Sequence, residues 1–469
     1  MCKWRDTVGK RKFREYDNTQ GLLLPPSLKD WLPSGHLAYF IEEVLYSVDL
    51  SDFFNDYESR EGRGAPPFSP MLLLKVLLYC YAAGVFSSRK IAKACIEDVA
   101  CRYLAAQQRP DFRTFIKFRS RHLEKFQQIF AQVIQIAREA GLVKLGHVSV
   151  DGTKMKANAS KHKAMSYEHM LKAEEKLSKE ISELLKRAAE VDTEEDAEYG
   201  DHDGYSLPDQ LAFKEGRQKA IKEAKARLEE RAAKRAEEEN ARREKEAREK
   251  AKRDENPKAY RKEPDPKPKP KEQENFTDAE SRIMLDGATK GFVQGYNCEV
   301  AVDDTNNLIV ATAVGNCAAD NVYLLPIIDR VEATLGAYPD KVTADAGYKS
   351  EANLIGLEAR CIDGYVACGR EVYDPRIGAP RGRIPSNTTY TERMERKLLT
   401  KKGRKQYKRR KTTAEPPIGW LKHILGFRQF LLRGALKVRA EFNLVCLGLN
   451  LRRMSTMLRL RSAMGLSQG

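Results

Sequence analysis

The chain has 469 residues, a formal net charge of +16 and nine cysteines. This basic excess favours a polyanionic partner, because lysine and arginine neutralise phosphates and release counterions, although an ordinary basic protein has the same composition. The cysteines include no Cys-x-x-Cys pair, which argues against a disulfide framework or a zinc site. The N-terminus lacks the apolar stretch of a secretory signal, and the longest apolar run, Met71 to Phe86, is short and contains Lys75. We therefore expect a soluble cytoplasmic protein without a membrane partner.

The N-terminal part, residues 1–145, is predicted to be a helical domain. Helix starts are indicated at Ser69, which precedes a proline at the first helical position, and at Ser87. A third helix is predicted from Pro110 to Ala140. Short helices with basic residues near their starts are typical of helix-turn-helix DNA readers, and an ordinary helical bundle explains the pattern equally well.

A charged segment follows at residues 161–276. Two apolar stripes at helical spacing predict a long antiparallel helical hairpin. The stripes are Leu177, Ile181, Leu184 and Ala188 in the first helix, and Ile221, Ala224, Leu228 and Ala232 in the second. A solvated charged helix and a proline-rich linker, PDPKPKPKEQ, complete the segment. No chemistry is indicated here, and we interpret the segment as an insertion.

Strand patterns surround this insertion. The predicted elements are a strand at Gly146–Val150, a hairpin of Tyr296–Asp303 with Leu308–Val314, a helix at Asn321–Leu335, and short strands at Lys341–Ala344 and Gly364–Ala367. The end of the chain from Thr412 is helical. The predicted class is α/β, a mixed sheet whose first strand (residues 146–160) is separated by the insertion from the rest of the core (residues 277–469).

Two aspartates have the same local setting. Asp151 and Asp345 are each expected to end a short apolar strand and are followed by small residues. Carboxylates at the ends of neighbouring strands converge, and such a pair suits Mg²⁺. Each motif alone also fits a simple turn. Asp303 and Asp320 are further candidate ligands, but a hairpin turn and a helix start explain them better.

Glu415 is the third candidate acid. It lies almost two helical turns before Lys422, so both side chains share one side of a helix, with Gly419 between them leaving room for a phosphate. A metal-binding acid and a cation in this relation suit a phosphate-handling surface. Thr412 and Glu415 also match a capping box, which would give the acid a purely structural role. The local sequence leaves both interpretations open.

Several motifs together resemble the DDE transposases of bacterial insertion sequences that carry a Tyr-Arg-Glu-Lys signature. They are VSVDGTKMKANAS, VTADAGYKS, RRKTTAEPPIGWLKHILGFRQF and, nearer the N-terminus, FSPMLLLKVLLYCYAAGVFSSRKIA. The resemblance implies a ribonuclease-H-like catalytic core and a helical N-terminal transposase domain. It also implies a bacterial, nucleoid-associated protein that acts on double-stranded DNA, both element ends and target, as a homodimer on that DNA.

Carried over by position, the resemblance implies that Asp151, Asp345 and Glu415 bind two Mg²⁺ ions, or Mn²⁺ in their place. Such ions lie about 4 Å apart and promote in-line attack on DNA phosphates, first by water and then by a 3′-hydroxyl. Lys422 matches the signature lysine. Arg410 and Tyr407 match the signature arginine and tyrosine, although Arg410 stands one residue further from the glutamate than usual.

DNA contacts are expected near these acids. Residues 401–411, KKGRKQYKRRK, hold eight cations in eleven positions, and Lys411 takes the usual place of the signature arginine. A charge run is otherwise a solvated surface, but its position beside Glu415 favours phosphate contact. The predicted DNA-binding residues are Arg89, Lys90, Arg113, Lys117, Tyr407, Arg410, Lys411, Lys422, Arg428 and Arg433.

Two other functions remain open on the sequence. A ribonuclease-H-like nuclease or resolvase would cut DNA without joining it. A non-catalytic DNA-binding protein derived from a transposase would retain the fold and lack the reaction. The presence of all three acids argues against the second alternative.

Overall fold

The computed structural model describes residues 7–8, 11–12, 27–58, 66–198, 207–251, 263–287, 290–369, 382, 384–385 and 387–463. The connection of the predicted hairpin is expected at about 191–207; its residues 199–206 lie outside the described ones, as does the end of the charged segment at 252–262, whereas residues 191–198 are helical.

The N-terminal part is helical, as the sequence predicts. Its helices are α1 (Leu37–Tyr46), α2 (Ser51–Glu58), α3 (Pro70–Ala82), α4 (Ser88–Glu97), α5 (Val99–Leu104), α6 (Phe112–Arg121) and α7 (Lys125–Glu139). Helix α3 begins at Pro70, whose fixed φ suits the first turn and which has no amide hydrogen to leave unsatisfied. Almost all of α3 is buried, so it forms the centre of this helical layer.

The prediction of one helix from Pro110 to Ala140 is wrong. Helix α6 ends at Arg121 and α7 begins at Lys125. His122, the residue that follows α6, is fully buried. Its ring packs against Phe53 and Phe118, with ring centroids 4.7 Å away in both cases. The buried ring lies at the interruption between the two helices. The apolar periodicity of the sequence continues across this point and so does not reveal the interruption.

The strands form small pairs and one larger sheet. In chain order they are β1 (Thr7–Val8), β2 (Arg11–Lys12), β3 (Val148–Lys156), β4 (Ala164–Ser166), β5 (Gln273–Asn275), β6 (Arg282–Leu285), β7 (Phe292–Asp303), β8 (Leu308–Gly315), β9 (Lys341–Ala344) and β10 (Asp363–Val366). In the described part of the chain, the larger sheet has the order β10-β9-β3-β7-β6, and β8 pairs with β7. Strands β9 and β10 run parallel to β3, whereas β7 is antiparallel to it. This confirms the predicted mixed α/β class.

Strand β3 is longer than predicted. The sequence pattern places its end at Val150, but the strand continues through Asp151 to Lys156 and pairs with β7 along its whole length. Its pairing with β9, in contrast, covers only Val148 and Ser149. Asp151 therefore lies where the parallel neighbour has ended while the antiparallel neighbour continues, which leaves one edge of β3 open at the acid.

The helices that follow the insertion in the chain cover the sheet. They are α10 (Leu324–Leu335), α11 (Glu351–Ala359), α12 (Tyr390–Leu399), α13 (Lys401–Thr413), α14 (Glu415–Gly419) and α15 (Ala435–Ala463), with a π-helical turn at Trp420–Ile424 between the last two. Helix α15 packs against α3, α7 and β8. One hydrophobic core consequently runs from the N-terminal helices through α15 to the sheet.

The insertion forms the predicted helical hairpin. Helices α8 (Tyr167–Glu198) and α9 (Leu207–Ala251) pack together through a small separate core that includes Leu177, Ile221 and Leu228. Strands β4 and β5 pair at the base of the hairpin and connect it to the sheet region. None of the described helices combines the length and the apolar composition needed to cross a membrane. The cysteines in the described residues are free thiols.

Candidate active site

The pairing of β3 with β9 brings two of the predicted acids together. Ser149 lies opposite Thr343 in the parallel register, and their hydroxyl oxygens are 2.7 Å apart. Asp151 and Asp345 each follow two residues later, and the backbone at Asp345 is still extended. Because side chains alternate along extended chains, both carboxylates lie on the same face as this hydroxyl pair.

Asp345 also organises its own turn. Its Oδ1 accepts a hydrogen bond of 2.8 Å from the backbone N–H of Gly347, in a 3₁₀ turn at Ala346–Tyr348. The strand prediction of Lys341–Ala344 followed by a turn at the acid is confirmed. This bond fixes the side chain at the carboxyl end of β9.

Helix α13 brings the third acid to the same place. The helix packs across β3, β9 and β10 and ends just before Glu415. Arg410 Nη1 donates to Asp151 Oδ2 at 3.2 Å, and its Nη2 donates to Glu415 Oε1, also at 3.2 Å. One guanidinium group therefore bridges the first and third acids, while the strand register places the second acid beside the first.

The capping-box interpretation of Glu415 does not hold in the structure. Helix α13 continues through Thr413, and the Thr412 hydroxyl donates to the carbonyl of Arg409 inside that helix. Ala414 precedes the helix that starts at Glu415 and supplies no side-chain cap. The Glu415 side chain is half exposed and contacts Arg410 instead, so it is available for a ligand.

The three carboxylates bring negative charges together where the protein partly excludes solvent. Burial raises the pKa of Asp151 to about 6; the Arg410 cation opposes this rise, whereas the charges of Asp345 and Glu415 add to it. Burial also lowers the pKa of Lys422, which is half-buried behind the same region. Each carboxylate destabilises the ionised form of its neighbours. Because a bound cation would relieve this repulsion, the arrangement attracts a cation.

The donor set fits a hard divalent cation in its chemistry. Three carboxylates supply oxygen ligands of the kind that Mg²⁺ and Mn²⁺ prefer, and Arg410 already places one positive charge between two of them. Among the described residues, no group of three or more His, Cys, Asp or Glu side chains is arranged closely enough to hold a metal ion as it stands. Metal binding would thus require the carboxylates and Arg410 to rearrange.

The predicted DNA-binding residues near the acids fall into two groups. Lys411, Arg428 and Arg433 are exposed. Tyr407 is only 8 % exposed and belongs to a small apolar cluster with Tyr365, while Arg410 is occupied by the two acids. The structure thus leaves three of these cations exposed and packs the two signature side chains of α13 against the protein itself.

The N-terminal candidates form a separate exposed group. Arg89 and Arg113 approach the ring of Phe112, with guanidinium carbons 5.2 and 5.5 Å from its centroid. Lys90 and Lys117 are exposed nearby on α4 and α6. The packing of these two helices therefore assembles a basic patch from residues that are distant in sequence.

The other two acids considered on sequence have clear partners. Asp303 accepts backbone hydrogen bonds from Leu145 and Thr305, both at 2.9 Å, as a structural aspartate does. Asp320 Oδ1 accepts from Lys154 Nζ at 2.7 Å and from Asn297 Nδ2 at 2.8 Å. No sequence pattern predicts this polar group next to the Asp345 turn, because its members come from three distant segments.

The fold and the site define a mixed α/β protein with three acids at one sheet edge beneath a basic helix. Two family models match the chain: the Transposase domain (DUF772) at residues 26–121 and the Transposase DDE domain at residues 375–455. The second match contains α13 and Glu415, whereas Asp151 and Asp345 lie outside both. Neither the curated proteins nor the solved structures compared with the chain gave a match. The two matches confirm the resemblance that the motifs indicate, to the DDE transposases of insertion sequences.

Proposed function

We propose that this transposase cleaves double-stranded DNA at the ends of its element and joins the 3′ ends to target DNA, with Asp151, Asp345 and Glu415 as its catalytic acids. The observation that supports this assignment best is the bridge from Arg410 to Asp151 and Glu415, beside the pairing of Ser149 with Thr343, two residues before Asp151 and Asp345. The mixed sheet around β3 is compatible with a ribonuclease-H-like core.

Each carboxylate has a role in this proposal. Asp151 and Asp345, held by neighbouring strands, and Glu415, on a helix start, would hold two Mg²⁺ or Mn²⁺ ions. Bound there, the ions would supply Lewis acidity at the attacking and leaving oxygens. Arg410 and Lys422 would contact the DNA phosphate, since charged hydrogen bonds to phosphate are strong.

The reaction has two phosphoryl transfers. In the first, a water oxygen bonds to phosphorus, the bond to the 3′ oxygen breaks, and a proton passes to solvent, leaving a free 3′-hydroxyl. In the second, that hydroxyl attacks a target phosphate and displaces the target's own 3′ oxygen. The protein's residues need only bind, orient and exclude competing water, which is consistent with a site that has no protein nucleophile among its acids.

The DNA would contact two surfaces. One surface would include the exposed cations Lys411 on α13, Arg428 and Arg433. The N-terminal domain at residues 1–145 would bind the element ends through Arg89, Lys90, Arg113 and Lys117. We propose that the chain works as a homodimer on DNA in the bacterial nucleoid, with the insertion at residues 161–276 separating the first strand at 146–160 from the rest of the core at 277–469.

The decisive experiment compares Mg²⁺-dependent cleavage of DNA carrying the element ends by the wild type and by Asp151→Asn, Asp345→Asn and Glu415→Gln. We expect each variant to lose at least a hundredfold in rate, and the exposed-surface control Glu358→Gln on α11 to lose none. Undiminished cleavage by the three variants would refute the assignment. A second reaction with pre-nicked ends tests joining: cleavage without strand transfer would identify a nuclease or resolvase, and neither activity would identify a DNA-binding protein.

A further inference from the structure

A buried tyrosine and a buried glutamate lie behind the acids, on the opposite face of the sheet from α13. The Tyr348 hydroxyl donates a hydrogen bond to Glu299 Oε2, and both side chains are fully buried. Glu299 lies on β7 directly opposite Gly152 of β3. Since Gly152 follows Asp151, the glutamate contacts the backbone that carries the first acid from its far side.

Gly152 has no room for a side chain at this contact. A Cβ on Gly152 would lie 2.7 and 2.8 Å from the two carboxyl oxygens of Glu299, closer than real contacts allow. The absence of a side chain lets the glutamate pack flat against β3. The position of the Asp151 backbone is therefore defined in part by the Glu299 side chain.

Tyr348 connects the same glutamate to the second acid. It is the last residue of the 3₁₀ turn that Asp345 begins. The turn is held further by Asn353, whose Nδ2 donates to the carbonyl oxygens of Tyr348 at 2.8 Å and Asn321 at 2.7 Å. A movement of Glu299 would thus be transmitted to the turn that orients Asp345.

A second polar contact joins two of these segments, β3 and β7, beside the Asp345 turn. Asp320 accepts hydrogen bonds from Lys154 on β3 and Asn297 on β7. Its Oδ2 lies only 2.8 Å from the position that a Cβ on Gly347 would occupy. Asp320 therefore joins β3 to β7 and packs closely against the Asp345 turn.

We propose that Tyr348 and Glu299 are positioning residues, whose hydrogen bond holds β3 and the Asp345 turn together and so keeps Asp151 and Asp345 side by side for metal binding. The inference rests on the proposed function, because it assigns a purpose to the spacing of acids in that reaction. Neither residue contacts the DNA or the metal in this view. They act through the backbone of β3 and through the turn.

The charge state of Glu299 is compatible with this role. Burial raises its pKa to about 8, with the Tyr348 hydrogen bond opposing the rise and the negative charges of Asp320 and Asp151 adding to it. Glu299 is therefore mostly protonated at pH 7 and adds little negative charge to the acids. Glutamine has the shape of the neutral acid and a carbonyl oxygen that can accept the Tyr348 hydrogen bond.

The test measures Mn²⁺ affinity by titration calorimetry and amide hydrogen exchange of residues 345–349 without metal. Tyr348→Phe should weaken Mn²⁺ binding about tenfold and speed exchange in the turn at least tenfold, while Glu299→Gln stays within threefold of wild type for both. Glu299→Leu should reproduce the phenylalanine variant. The matched control is Tyr296→Phe, which removes another buried tyrosine–carboxylate bond, to Asp278, on the same strand and should change neither measurement.

Unchanged exchange and unchanged affinity in both Tyr348→Phe and Glu299→Leu would overturn the positioning role. So would a loss in Glu299→Gln as large as that in Glu299→Leu, since the shape and the acceptor are retained there. Failure of the proposed function has a different signature. The wild type itself would then bind no Mn²⁺. The amide exchange rates of residues 345–349 in the variants would still show whether Tyr348 and Glu299 hold the turn in place.

Discussion

Arg410 contacts two of the three acids, and its side chain is only 13 % exposed. Its positive charge offsets the repulsion between carboxylates that would otherwise destabilise the metal-free site. Its hydrogen bonds also occupy one oxygen of Asp151 and one of Glu415, which a cation would otherwise take. The arginine and a divalent ion therefore compete for the same ligands.

This competition gives a prediction for Arg410→Gln. At pH 8, where Asp151 is ionised, removal of the guanidinium should tighten Mn²⁺ binding about tenfold in the absence of DNA, because a hydrogen bond to a charged group contributes about 1.5 kcal/mol. Titration calorimetry measures the change directly. The free energy of unfolding of the metal-free variant should fall, since two carboxylates lose their partner.

The control is Arg409→Gln on the same helix, which removes an equal charge that pairs with Asp304 instead of the acids. Its Mn²⁺ affinity should stay near that of the wild type. Equal or weaker Mn²⁺ binding by Arg410→Gln would mean that the arginine does not compete with the ion.

Glu441 provides a pH prediction at a second buried residue. Its carboxylate accepts hydrogen bonds from the backbone N–H groups of Leu431 and Leu432, each at 3.0 Å, and burial raises its pKa from 4.5 to about 7. Between these pH values the folded chain retains a proton that the unfolded chain has released. The free energy of unfolding must therefore fall as the pH rises through this window, by up to about 3 kcal/mol.

Glu441→Gln should remove this part of the pH dependence. The amide oxygen can accept the same two backbone hydrogen bonds, so the variant should match the wild type near pH 5 and exceed its stability by up to about 3 kcal/mol near pH 8. Urea unfolding at both pH values gives the comparison, with the exposed Glu358→Gln as control. A constant difference between variant and wild type at both pH values would contradict the assignment.

At the scale of elements, α13 carries a stripe of lysines on one exposed side. Lys401, Lys405 and Lys408 recur at spacings of four and three and are exposed, which places them along one stripe of the helix. The helix packs across the strands that bear Asp151 and precede Asp345. Arg410, which contacts the acids, lies on the opposite side of the helix, so the lysine stripe offers a DNA backbone an exposed surface that faces away from them.

The triple variant Lys401→Gln, Lys405→Gln, Lys408→Gln should weaken DNA binding for every sequence alike. It should also reduce the slope of log affinity against log salt by about 0.9 for each DNA phosphate that the helix no longer neutralises. Fluorescence anisotropy at several salt concentrations measures both effects. The control is the triple variant Lys172→Gln, Lys176→Gln, Lys179→Gln on α8, which removes the same charge elsewhere. An equal reduction of the slope in this control would show that only the net charge of the protein matters.

Much of the sheet could be predicted from sequence because several of its strands have a recognisable local sequence pattern. Lys341–Ala344 is an apolar run bounded by a turn, and the structure has a strand with the same bounds. The length of β3 could not be predicted in this way. Past Asp151 its residues alternate with lysines, and it remains a strand because β7 pairs with it through Lys156.

The Tyr348–Glu299 pair could not be predicted for a related reason. Asn297 and Glu299 alternate with apolar residues in β7, a pattern typical of a strand with one solvated face, but both are fully buried, because helices cover both faces of the sheet. Asp151, Asp345 and Glu415, in contrast, could be selected because each lies in a recognisable motif. Their common bridge through Arg410 required the path of α13 across the strands, which no local pattern specifies.

For the whole molecule, the N-terminal helices and the sheet share one hydrophobic core. Helix α15 is buried along most of its length and contacts both layers. Arg461 near its end donates to the carbonyl of Ala140 at 2.8 Å, just after α7. The proposed DNA-binding helices and the proposed catalytic sheet should therefore unfold together in place of forming two independently stable parts.

Gly448 lies where α15 crosses α3 most closely, and it provides the test of this coupling. A Cβ there would lie 2.8 Å from the backbone nitrogen of Ala82, which no rotation of a side chain can relieve. Gly448→Ala should lower the free energy of unfolding by about 1–3 kcal/mol, although alanine is otherwise the better helix former. Gly216→Ala in α9, where no atom lies within 4 Å of the new carbon, should have no such cost.

Hydrogen exchange in α3 and in β9 decides whether that loss is shared. If one core supports both layers, Gly448→Ala speeds the slowest exchanging amides of α3 and of β9 by the same factor, because both exchange through one global opening. A tenfold increase corresponds to a loss of about 1.4 kcal/mol. Faster exchange in α3 with unchanged exchange in β9 would show that the helical layer opens independently, and that α15 links the two layers without making them one cooperative unit.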